Sequence, residues 1–130
     1  MNIIIGHPPN YEKISKTFIL HPGILFTYGT TIYNPDNVPI DDSMVVHEEV
    51  HSMQQKDMGI EAWWDKYLQD AKFRTIQELE AYRRQYVFVK KFLKDREVLN
   101  RYHRRLATCL SREMYGKIMS FNKALEEIKK

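Results

Sequence analysis

At 130 residues with 43% hydrophobic side chains, the chain is sized for a single domain, residues 1–130, that can bury a core without cross-links. Cys109 is the only cysteine, which excludes a disulfide framework and a Cys-based metal site, and a reducing, cytoplasmic setting (a host cytoplasm if the chain is phage-encoded) is the expectation. The net charge of +3 is unevenly spread: positions 83–105 hold nine Lys/Arg against Asp95 and Glu97, leaving the remainder net acidic.

Taken from the start, Met1-Asn-Ile-Ile-Ile-Gly offers a three-residue apolar run with no basic flank before His7-Pro8-Pro9, and nowhere is there a stretch approaching 18 apolar residues. Neither an export signal nor a membrane span is expected. Residues 17–33 are rich in β-branched and aromatic types and are interrupted by Pro22-Gly23 and Gly29, which predicts two or three short strands in a small antiparallel sheet. From Asp41 onward proline is absent and the patterning is helical. A first helix is expected over 42–58, led by the N-cap run Asp41-Asp42-Ser43 and stopped by Gly59. Further helices are expected at 61–70, 75–106, 111–116 and 120–129. The fold class is therefore α+β, a small N-terminal sheet followed by a mainly helical remainder.

The first of these helices carries His47-Glu48-Glu49-Val50-His51, an H-E-x-x-H sequence. Residues i and i+4 lie one above the other on a helix, so two imidazoles project from one face and can close on one ion, with Glu48 beside it as a proton carrier. Catalytic zinc takes three protein ligands and keeps one position open for water, so a third ligand is needed. Asp57 lies six residues beyond His51 and, on a continuing helix, points away from the histidine face. His103 sits among Tyr102, Arg104 and Arg105, where a cation is repelled, and a solvated helix face is its expected home. Glu78 and Glu80 remain, and at i and i+2 they cannot both face the metal. Against Glu78 stands the reading of Thr75-x-x-Glu78 as a capping box.

His47-Glu48-x-x-His51 followed by Glu78-Leu79-Glu80-Ala81 resembles the gluzincin zinc metallopeptidases, and Glu78 occupies the place three before the alanine where the integral-membrane and repressor-cleaving gluzincin families carry their glutamate ligand. The order Gln54, Trp63-Trp64, Tyr67 and Glu78 to Tyr82 is also similar to short phage-type metallopeptidases, over roughly residues 24–86. The larger families often have Asp after Glu-x-x-Ala, where this chain has Tyr82. The resemblance implies a minimal zincin-like fold, Zn2+ held by His47, His51 and Glu78, and small Ala81 at i+3 admitting close approach of the histidine helix.

On that reading Glu48 is the general base and then the general acid of amide hydrolysis. Tyr82, one turn beyond Glu78, is the first candidate for holding the oxyanion, with Tyr86 and Arg74 behind it. Trp63 and Trp64 are read as core, and Gln54 and Gln55 as polar groups near the site or on a solvated face. A polypeptide lying along the sheet edge at 24–33 is the expected substrate. Two other readings stand beside this one: a module binding nucleic acid or protein through 83–105, with that stretch more simply a solvated helix face, and a zinc amidase acting on a non-peptide substrate.

Overall fold

A computed structural model of the chain describes residues 1–112 and 115–130. Its elements in order are β1 (Asn2–Ile4), α1 (Tyr11–Thr17), β2 (Phe26–Tyr28), β3 (Thr31–Tyr33), α2 (Asp42–Met58), α3 (Ile60–Gln69), α4 (Ala71–Lys90), α5 (Arg96–Leu110) and α6 (Phe121–Ile128). The architecture is α+β, as expected, but the sheet is mixed rather than antiparallel. Its order is β1-β3-β2, with β2 antiparallel and β1 parallel to β3.

The β2–β3 hairpin turns through Gly29-Thr30, and Gly29 has φ 64°, the positive φ that a two-residue hairpin loop asks of its first central residue. β1 and α1 had no counterpart in the pattern. Ile3 and Ile4 are exposed, so β1 carries no alternation of buried and exposed faces, and α1 buries Ile14 alone, too little for a period of 3.6 to show. Parallel pairing of β1 with β3 needs a crossover, and α1 lies within it. The segment 18–25 has no strand, so the strands expected over 17–33 are the two at its end.

α2 occupies the expected range. Asp41 accepts from Met44 N (3.0 Å), and Gly59, at φ 98°, ends α2 and starts α3 without a gap. The single helix expected over 75–106 is two: α4 runs to Lys90, the chain turns through 91–95, and Asp95 caps α5 by accepting from the amides of Glu97 and Val98. Asp95 is a sound N-cap residue without Gly or Pro before it, so the break had only this one signal. The short helix expected at 111–116 includes Glu113 and Met114, which lie outside the described residues.

Two apolar clusters result. Ile14, Phe26, Trp63, Trp64 and Tyr67 form one beneath the sheet, and Tyr82, Tyr86, Leu106, Ala107, Leu110, Tyr115, Ala124 and Ile128 form the other among α4, α5 and α6. Among the described residues no helix is long and apolar enough to cross a membrane.

Candidate metal centre

The inward face of α2 is polar: Ser43, His47, His51 and Gln55 recur every fourth residue and all are buried. α4 packs along it with Arg74, Thr75, Glu78, Ala81, Tyr82 and Gln85 turned inward. Where the two faces meet, His47 Nε2 and His51 Nε2 lie 3.2 Å apart, and Glu78 Oε1 is 3.1 Å from the first and 3.3 Å from the second. The three residues are at most 8% exposed. They form a group that could hold a metal ion.

The hydrogen bonds around this triangle decide where its protons are. The Gln54 amide nitrogen donates to the carbonyl of Gln77 (3.2 Å) and the carboxylate of Glu80 (2.8 Å), so its oxygen is turned to His51 Nδ1 (2.9 Å), which must donate. At His47 a longer relay has the same outcome. Asp41 accepts from Ser43 Oγ (2.6 Å), Ser43 from the Tyr102 hydroxyl (2.9 Å) and Tyr102 from the Gln85 amide nitrogen (2.8 Å), which leaves Gln85 Oε1 to accept from His47 Nδ1 (2.9 Å). With both Nδ1 atoms protonated, each imidazole in its neutral form presents a lone pair at Nε2. The Tyr67 hydroxyl donates to Glu78 Oε2 (2.5 Å) and leaves Oε1 facing them. Three acceptors thus converge with no donor among them, an arrangement that only a cation or an added proton can relieve.

The titration behaviour follows. Burial opposes charging of His51, but the Glu78 carboxylate, and after it Glu48, outweighs that and raises it to about 9. Burial likewise opposes the Glu78 anion, yet His51 and His47 hold it far below the usual carboxylate range. The hydroxyls of Tyr67, Tyr82 and Tyr115 are pushed well above the ordinary tyrosine value by burial first and by anionic neighbours second, so they are neutral donors near pH 7.

Glu48 is buried beside the triangle, its Oε1 accepting from Thr27 Oγ1 (2.9 Å) and its Oε2 lying 3.7 Å from His47 Nε2. Thr27 belongs to β2, an edge strand. Thr27, His47, Glu48, His51 and Glu78 line a cavity of about 340 Å³ whose wall also includes residues 23–26, Tyr82, Arg105 and Tyr115. The Tyr82 ring packs on His47 with centroids 4.5 Å apart, and its hydroxyl is 3.4 Å from that of Tyr115.

Of the residues read from sequence, His47, Glu48, His51, Glu78 and Tyr82 come together here. Asp57 is exposed and turned away. Glu80 is exposed and reaches the centre only through Gln54. The capping box does not form: Asp70 caps α4, and the Thr75 hydroxyl instead donates to the carbonyls of Ala71 and Tyr115. His103, expected on a solvated face, is buried and pairs with the Leu125 carbonyl because α6 folds over it. Tyr86 packs on His103 rather than in the cavity, and Arg74 donates to the Tyr67 carbonyl. Both tryptophans are core: the Trp63 ring abuts His51, while Trp64 Nε1 and Gln55 Nε2 share the Thr27 carbonyl. The sheet edge at 24–33 reduces to β2, where that carbonyl is already engaged. The basic stretch 83–105 is divided between two helices, with Arg83 bound to Glu127.

Thr27, Gln85, Tyr102 and Tyr115 were not singled out in the sequence, and Ser43 was read only as part of the N-cap run; nothing in the local spacing marks any of them as site residues. No protein-family model, curated protein or solved structure matches this chain.

Proposed function

We propose that the chain is a zinc-dependent metallopeptidase that hydrolyses peptide bonds at the His47–His51–Glu78 centre. The observation that carries this reading is the geometry of the triangle itself, two imidazole Nε2 atoms and one carboxylate oxygen meeting at a buried point. Ligand atoms about 2.0 Å from the centre of a tetrahedron lie about 3.3 Å from one another, and the three edges here measure 3.1, 3.2 and 3.3 Å. Two neutral imidazoles and one carboxylate suit zinc, with one tetrahedral position left over for water.

Bound zinc would lower the pKa of its water toward about 7 and polarise the substrate carbonyl. The chain's residues supply the rest. Thr27 pins one oxygen of Glu48, so the other, on the side of His47, is the atom that takes the water proton and passes it to the leaving amine. Tyr82 and Tyr115 can donate only one proton between their two hydroxyls, so the pair keeps a second proton for the oxyanion. Supporting a polypeptide substrate is the border of the cavity at 23–27, on the edge-strand side of the sheet.

Elemental analysis of protein purified without chelator is expected to find about one zinc per chain. Glu48→Gln should keep the zinc and lose about 100- to 10,000-fold in cleavage of a quenched peptide pool, whereas Glu78→Ala should lose both and Glu80→Ala neither. A wild-type chain that takes up no zinc on titration rules the reading out.

A further inference from the structure

Each ligand histidine is held from behind by an amide, and the amides are themselves held. We propose that Gln85, locked in orientation by Tyr102 and Ser43 against the Asp41 cap, is a positioning residue that fixes the tautomer and ring orientation of His47 for metal, and that Gln54 does the same for His51. The inference rests on the metal reading above but concerns residues that reading does not use.

The relay runs from Asp41, ahead of α2, through Ser43 in its first turn, Tyr102 of α5 and Gln85 of α4, and returns to α2 at His47. Every proton in it is directed. Asp41 can only accept, and its Oδ1 already takes the amide proton of Met44. Ser43 must therefore spend its proton on Asp41, Tyr102 on Ser43 and Gln85 on Tyr102. An amide can flip without changing shape, and this sequence of donors removes that freedom: flipped, Gln85 would set its NH2 against His47 and its oxygen against an oxygen that has no proton left to give. His47 consequently offers Nε2, and only Nε2, to the triangle. At His51 the carboxylate of Glu80 and the carbonyl of Gln77 lock Gln54 in the same sense.

The choice of amide over carboxylate has a chemical meaning. A carboxylate behind each imidazole would add negative charge to a buried centre that already contains Glu78. The neutral amides orient the rings and leave Asp41 and Glu80 at a distance, so a divalent ion with its three ligands keeps a net charge of about +1 before the Glu48 carboxylate beside it is counted, where two further carboxylates would make it negative.

Zn2+ affinity is measured by competition with a chromophoric chelator, and the His47 tautomer by long-range 15N–1H correlation on metal-free and zinc-loaded protein. Wild type is expected to show His47 with its proton on Nδ1 in both forms. Gln85→Leu should weaken Zn2+ about 10- to 100-fold and give mixed tautomers, and Gln54→Leu should weaken it comparably. Gln85→Glu restores the acceptor and should return affinity to about the wild-type level or tighter. Tyr102→Phe, which removes one oxygen and keeps the ring, should lose several-fold and carries the test should Gln85→Leu fail to fold. A relay that merely joins three helices would lower the melting temperature of these variants and leave affinity and tautomer unmoved, and that result overturns the proposal. So does a wild-type His47 protonated on Nε2. Should wild type bind no zinc while His47 carries its proton on Nδ1, the metal reading fails and the tautomer assignment stands.

Discussion

A buried imidazole facing a carboxylate across 3.3 Å holds either a proton or a metal ion, and pH sets the exchange between them. His51 is raised to about 9 in the metal-free fold, against about 6.5 in an unfolded chain. A raised folded value means that the contribution of His51 to stability is fully present below pH 6.5 and is lost as pH rises through 9. Glu78, held low, contributes above the ordinary carboxylate value and stays charged throughout that window. Metal-free protein is therefore expected to lose on the order of 2 kcal/mol between pH 6.5 and 9. With zinc in place of the proton the loss should vanish, and zinc uptake near pH 7 should release about one proton from His51. Melting curves across that range with chelator and with zinc check the first point, and calorimetry in two buffers of different ionisation heat checks the second. A chelated protein whose stability rises toward pH 9 would contradict the assignment. At this scale His47, Glu48 and His51 were legible because their chemistry is written in one short spacing, whereas Glu78, 27 positions beyond His51, was favoured over Glu80 only by the Glu-x-x-Ala resemblance. Thr27 and Gln85 were not legible, since Thr27 meets Glu48 across 21 positions and Gln85 meets His47 across 38, and only the packed fold creates those contacts.

The helices that form the site bury polar faces, and the caps marked only α2; the Asp70 cap of α4 went unread, so that helix was expected to start at 75 rather than at Ala71. On α2 the buried fourth-residue stripe is Ser43, His47, His51, Gln55, the reverse of an ordinary amphipathic helix. Its ends were nevertheless marked, by Asp41 and by Gly59. The α4–α5 junction had no such glycine, and there the expected helix ran on through 91–95, where the chain in fact turns. Gly59 gives a direct test of how much the α2–α3 corner depends on one backbone conformation. A Cβ at Gly59 would lie 3.9 Å from that of Ala62, ordinary contact, so the cost of Gly59→Ala comes from φ 98° alone. The expected loss is about 1–2 kcal/mol, several degrees in Tm. Zinc affinity should change little, because the metal ligand nearest Gly59 is His51, two turns back. A variant as stable as wild type would show that the corner relaxes into another conformation.

Across the whole molecule, the polar seam between α2 and α4 separates the two apolar clusters, one under the sheet and one among α4, α5 and α6. Neither cluster contains His47, His51 or Glu78, so the seam is held by hydrogen bonds, by the Tyr82 and Trp63 rings packed on its histidines, and by any cation the triangle takes. A metal ion present at about 1,000 times its Kd stabilises the folded state by about 4 kcal/mol, and in this fold that stabilisation acts between two helices rather than within a core. Local opening is expected to follow the same division. On removal of zinc with a chelator, amides of α2 and of the Glu78 turn of α4 should exchange faster by about 10-fold or more, while those of α5 near Leu106 and Leu110 and of α6 should hold their protection. Hydrogen exchange read by mass spectrometry on peptides from the four helices makes the comparison within a single sample. Equal loss of protection in α6 and α2 would mean that the chain opens only as a unit, and unchanged exchange in α2 would mean that no metal bridges the seam.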